Sequence, residues 1–178
     1  MSFRNRNKKI VPSWILILYP LFVVFDLLST YVAIPDLQYE GNPIICYFQW
    51  DWGKVILWNF AIVTIAVLTV LFSNKYLIKY FKKEHQNKLL FFVACFFIFC
   101  FYTHVVGLIY AVPTNFLQSL YQHENRNHFL YNITLNFVNF VYQKGSYFYL
   151  FILYFVTSLI GLAITIYRIK RIKYLLNN

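Results

Sequence analysis

Charge is what this chain is shortest of. Only 12% of its 178 residues are charged, six of them acidic against sixteen Lys and Arg. A soluble domain carries about 25% charged residues, and a chain this small exposes too much surface for so few charges to cover. Glycine is scarce too: five residues leave little room for a phosphate-cradling loop, and no serine nucleophile elbow or kinase signature is present. The three cysteines form no C-x-x-C; Cys95 and Cys100 lie five apart in an apolar run, and Cys46 stands alone. That spacing offers no disulfide framework, so all three read as packing residues. What the chain has in excess is apolar and aromatic: 60% hydrophobic residues, with 20 Phe, 16 Tyr and 4 Trp. Such a composition excludes disorder and leaves the class of polytopic membrane proteins.

A bilayer core about 30 Å thick needs roughly 20 apolar residues of helix. Four stretches qualify, at about 14–34, 55–73, 89–112 and 147–167. Trp14, Trp58, Tyr76, Tyr110, Tyr147 and Tyr167 stand near their ends, where amphipathic rings suit the headgroup level. The first stretch follows Arg4, Arg6, Lys8 and Lys9. It is too long for a signal-peptide core and no small-x-small cleavage site follows, so it reads as a retained helix. The expected fold is therefore all-α: one membrane domain over residues 1–178, built as a four-helix transmembrane bundle.

The basic residues are unevenly placed. The N-terminal tail, the connection after the second helix (Lys75, Lys79, Lys82, Lys83, Lys88) and the C-terminal tail (Arg168, Lys170, Arg171, Lys173) hold 13 of the 16. In a four-helix topology these segments share one side, which is the positive-inside pattern. Both termini are then cytoplasmic, in a bacterial inner membrane as the simplest setting. The basic rim suits anionic lipid heads and does not call for nucleic acid.

Two segments on the other side carry pattern. In Gly41-Asn42-Pro43, Asn suits a helix cap and Pro a first helical position, so a short aromatic interfacial helix is expected over about 43–50. Between 129 and 143, Phe129, Ile133, Phe137, Phe140 and Val141 recur at helical spacing, with Asn132, Asn136, Asn139 and Gln143 on a separate face. That predicts a second interfacial helix or a lid. The pair His123 and His128 lies five apart, about 140° around a helix, which is wrong for shared metal ligation. No metal and no cofactor is expected. The sequon Asn132-Ile133-Thr134 matters only in a secreting eukaryotic cell.

The anomaly is polar residues at membrane depth. Asp26 precedes the estimated outer end Ile34 by eight residues, and His104 precedes Val112 by the same number. Both helices run outward, which puts the two about 12 Å below the boundary at 1.5 Å per residue. Thr30 stands one turn above Asp26, and Asn59, Thr64, Thr157 and Ser158 fall near the same layer; Pro20 offers a kink below it. An ionisable residue in a membrane is a functional hypothesis by default. Its structural alternative is an Asp26–His104 pair that fixes helix register.

The spacing Asp26-x3-Thr30-x9-Glu40-x-Asn42-Pro43 resembles a signature of small bacterial and archaeal membrane proteins in which an Asp-x3-Thr helix precedes a Glu-x-Asn-Pro turn. It covers about 20 residues, and Tyr39 stands where that signature has Gly. The resemblance implies site residues Asp26, Thr30, Glu40, Asn42 and Pro43 and no particular activity. In shape, four helices with an early intramembrane Asp look like the sterol-isomerase and sigma-2-receptor superfamily. The acidic residue of its second helix has no counterpart between Val55 and Ser73.

The leading expectation is binding, with transport as its extension, of a small ligand at this layer: a proton, a cation or an amphiphile headgroup. Asp26 would be the charge partner, His104 the titratable group, and Thr30 and Asn59 the orienting hydrogen bonds. Two rival classes fit the same residues. One is a non-catalytic subunit or assembly factor that packs on a membrane partner or on its own copies. The other is an intramembrane enzyme acting on a lipid or isoprenoid, with Asp26 and His104 as acid and base.

Overall fold

The computed structural model describes residues 9–37, 43–84, 86–122 and 146–177. Among them there are five helices and no strand: α1 (Ser13–Ala33), α2 (Pro43–Phe48), α3 (Trp52–Phe81), α4 (Lys88–Gln122) and α5 (Ser146–Asn177). Four are long and apolar enough to cross a membrane, and the protein is an all-α multi-pass membrane protein. The expected interfacial helix at 129–143, with Glu40 and Asn42, lies outside the described residues.

Local chemistry sets the helix ends. Pro12 opens α1, its carbonyl accepting from the Ile15 amide at 3.1 Å. Pro43 occupies the first position of α2, where its missing N–H is no loss. Asp51 caps α3: its Oδ1 accepts the Lys54 amide at 2.9 Å, the bond an N-cap makes to the third helical residue. Asn87 caps α4 in the same way, accepting from Leu90 at 3.1 Å. With glycine so scarce, the left-handed residues that end helices are Gln49 (φ 49°) after α2 and Lys83 (φ 62°) after α3. Trp50 N–H to Ile45 carbonyl, and Glu84 N–H to Lys79 carbonyl, close the corresponding capping bonds.

Three helices outrun their apolar runs. α3 passes Ser73 by eight residues because Asn74 finds a buried partner and the lysines reach outward. α4 continues through Pro113 to Gln122. A proline there removes the N–H that would bond the Ile109 carbonyl, yet the helix continues; one residue on, the Thr114 hydroxyl donates to the Tyr110 and Ala111 carbonyls at 3.1 and 2.9 Å. α5 keeps its helix through the basic tail.

Internal packing groups the chain into two units. The first comprises Met1–Pro20, Ile62–Val106 and Thr157–Asn178. Its core includes Tyr19, Val70, Leu77, Ala94, Ile98 and Ile172, with Ile10 and Val11 of the segment before α1 fully buried. That segment is tied to three helices. Val11 donates its N–H to Asn74 Oδ1 at 3.0 Å and accepts from Asn74 Nδ2 at 3.2 Å. The Ile10 carbonyl accepts from the Tyr102 hydroxyl at 2.9 Å and Arg168 Nε at 2.7 Å, and the Lys9 carbonyl from Arg168 Nη2 at 2.8 Å. Gly161 of α5 meets α4 so closely that an added Cβ would lie 2.8 Å from the Thr103 amide nitrogen.

The second unit comprises Leu21–Ala61 and Gly107–Val156. Leu37, Ile45 and Val55 form its buried cluster, against which Leu27, Trp50 and Trp52 pack. The Trp52 indole N–H donates to the Pro35 carbonyl at 2.7 Å, and the Tyr31–Trp52 and Trp50–Trp58 ring pairs meet edge to face. α2 leaves Tyr47 and Phe48 exposed, as a helix lying in an apolar interface does.

Candidate functional site

α1 presents Asp26, Ser29 and Thr30 at three- and four-residue spacing, which puts them on one face. The Ser29 hydroxyl donates to the Asp26 carbonyl at 2.9 Å, a bond back along the helix that keeps the side chain in place. Asn115 of α4 then reaches all three residues. Its Nδ2 lies 2.9 Å from Thr30 Oγ1, 3.2 Å from Ser29 Oγ and 3.3 Å from Asp26 Oδ1. An amide nitrogen carries two hydrogens, so three acceptors share two donors. All four residues are half-buried. The arrangement is one donor group facing an oxygen-rich surface, with a carboxylate as its only acidic member.

Each packing unit holds part of the expected polar layer. Asp26 and Thr30 are brought together through Asn115 in the second unit. In the first unit His104 Nδ1 lies 2.8 Å from the Tyr19 hydroxyl. The Tyr19 ring also packs on Phe101 at 5.0 Å, so His104 is held by a buried aromatic pocket of its own. Asn59 donates to the Val55 carbonyl of its own helix at 2.9 Å. Pro43 starts α2, and Thr157 is buried in the first unit. α4 runs past Val112, the end from which the depth of His104 was counted.

Asn115 and Ser29 were missed by the sequence reading. Ser29 had a signal, the helical spacing from Asp26. Asn115 had none, since Pro113 two residues earlier reads as a helix stop. His123 and His128 lie outside the described residues. No group of three or more His, Cys, Asp or Glu able to hold a metal occurs among the described residues.

Outside the spans, the environment of Asp51 sets a clear direction. The Lys54 backbone N–H holds its carboxyl below the usual range, helped by the Lys54 ammonium 3.4 Å away.

Comparison of the chain with protein-family models, curated proteins and solved structures finds no match.

Proposed function

We propose that this membrane protein binds a small positively charged ligand, a proton, a cation or the cationic headgroup of an amphiphile, at the Asp26–Ser29–Thr30 face of α1. The observation that carries this reading is the convergence of Asn115 on three side-chain oxygens inside two membrane-spanning helices. Most side-chain hydrogen bonds in proteins go to backbone or water, so a cluster made side chain to side chain is unusual material for simple helix packing. A carboxylate at membrane depth is costly, and Asn115 offers it a dipole without a charge. A proton or a positively charged group at Asp26 lowers that cost, and the hydroxyls of Ser29 and Thr30 supply further oxygen donors to such a guest. Transport is the natural extension of a site of this kind. Both termini face the cytoplasm in this reading, supported by the 13 basic residues of the three segments that share one side.

The test is thermal stability of the purified chain against pH and against added sodium, potassium and ethanolamine. A cation- or proton-dependent stabilisation is expected in the parent and should vanish in Asp26→Asn. An identical response in parent and variant overturns the site. Single cysteines at positions 5, 85 and 177 in a cysteine-free background should label from the cytoplasmic side; external labelling at 177 overturns the orientation.

A second reading, assembly with its own copies or a membrane partner, is favoured by how little each span buries within the chain, from 11% to 28% of the apolar window. Without a hydrophobic drive between helices in lipid, such faces accept partner helices as readily as acyl chains. The mass of the detergent-solubilised complex decides it: a monomer alone overturns this second reading.

A further inference from the structure

The first packing unit carries positive charge that the fold does not use. Its three stretches hold thirteen Lys and Arg and a single acid, Glu84. Among the described residues of this unit the one ion pair is Lys82–Glu84, at 3.9 Å. Arg168 has a structural task, holding the Lys9 and Ile10 carbonyls. Lys75, Lys170, Arg171 and Lys173 are exposed. On α3, Lys75 and Lys79 are four apart; on α5, Lys170 and Lys173 are three apart, so each pair shares a helix face.

The setting of these cations narrows what anion they meet. They occupy the polar ends of helices whose preceding turns are apolar enough to span a bilayer. Exposed Tyr167 and Tyr174 bracket the α5 cluster, and amphipathic rings of this kind settle at headgroup depth. Anions at that depth are lipid phosphates. The same cations repel one another when unneutralised, so an anionic lipid both binds and relieves the helices that carry them.

We infer that this basic end is a binding surface for anionic phospholipid headgroups, with Lys170, Arg171 and Lys173 of α5 and Lys75 and Lys79 of α3 making the phosphate contacts. The attraction is worth about fivefold in affinity for each basic residue near an anionic surface. Removing three should weaken binding by about a hundredfold.

The experiment follows phosphatidylglycerol binding to the full chain in neutral detergent by native mass spectrometry. Phosphatidylcholine, soluble glycerophosphoglycerol and a short oligonucleotide serve as comparison ligands. Phosphatidylglycerol should bind in preference to phosphatidylcholine and be released by high salt. K170Q/R171Q/K173Q should weaken it by about a hundredfold and K75Q/K79Q by about twentyfold, whereas Lys54→Gln in the other unit should leave it unchanged. Circular dichroism of each variant confirms that these substitutions, exposed except for the half-buried Lys79, leave the helices intact. Equal binding of phosphatidylcholine, or an unchanged affinity in both multiple variants, overturns the surface. Glycerophosphoglycerol binding as tightly as the lipid would make the ligand a soluble phosphate ester. Displacement of the lipid by the oligonucleotide at equal concentration would make it a nucleic acid. Either result overturns the lipid assignment.

Discussion

The two packing units use their polar side chains differently. In the first, apart from the Tyr19–His104 pair, the long-range bonds run to backbone: Asn74, Tyr102 and Arg168 all bond the segment Lys9–Val11. In the second, Asn115 turns to side chains, meeting Asp26, Ser29 and Thr30. Charge divides the same way, thirteen basic residues and one acid against three basic and five acidic. The difference teaches how to separate structural polarity from a candidate site. A buried backbone group must be paired or it costs the fold, so side chains that pair it are fastenings. Side chains that pair one another have no such obligation, and a carboxylate among them is an expense the fold itself does not require.

The sharpest way to break this comparison is to remove a fastening. Asn74→Leu strands both the N–H and the carbonyl of Val11, a fully buried residue. At about 1–3 kcal/mol for each unsatisfied group, a loss of about 2–6 kcal/mol is expected in equilibrium unfolding in detergent. If Asn115→Leu costs as much, the two units do not differ in kind.

The glycines give the next largest contrast. Gly161→Ala drives a Cβ into the Thr103 backbone and should cost about 1–3 kcal/mol by overpacking. Gly107→Ala meets nothing within 4 Å and should be neutral, or stabilising by up to about 1 kcal/mol from helix propensity. Melting temperatures of the two variants, measured together, check both halves.

A double-variant cycle probes the second unit. Asp26→Asn and Asn115→Leu should couple by about 0.6–1.7 kcal/mol, the range of hydrogen bonds between membrane helices. In the first unit Tyr19→Phe with His104→Gln should couple by a similar amount, since the Tyr19 hydroxyl lies 2.8 Å from His104 Nδ1. Additive effects there would show that this pair contributes nothing to the unit.

The smallest effect is at the exposed cap. With its folded pKa lowered, Asp51 contributes stability above the ordinary carboxylate range and loses it as pH falls through the folded value, below about pH 4. Asp51→Asn keeps a good cap but removes the titration. Its melting temperature should therefore fall less on acidification than that of the parent.

Much of this was legible in the chain. Four apolar runs of spanning length, Pro43 as a helix start and the one-turn spacing of Asp26 and Thr30 all follow from local pattern. The end of α4 did not, because a proline reads as a stop in water but is tolerated inside a membrane helix. Neither did Asn115, which meets Asp26 from 89 residues away on that extended helix.

Composition by itself determined the class of this protein, because too few charges and long apolar runs leave a bilayer as the only fitting solvent. The four apolar runs and the charge asymmetry are legible for the same reason, since both depend only on local content. The tertiary structure decided which polar groups meet. The contacts Val11–Asn74, Ile10–Tyr102 and Ile10–Arg168 join residues 63, 92 and 158 apart, and Asn115 reaches α1 across 85 residues to Thr30. Helical periodicity says which residues share a face of one helix. It says nothing of which face of another helix lies opposite, and hydrogen bonds shorter than 3.5 Å depend on that alone.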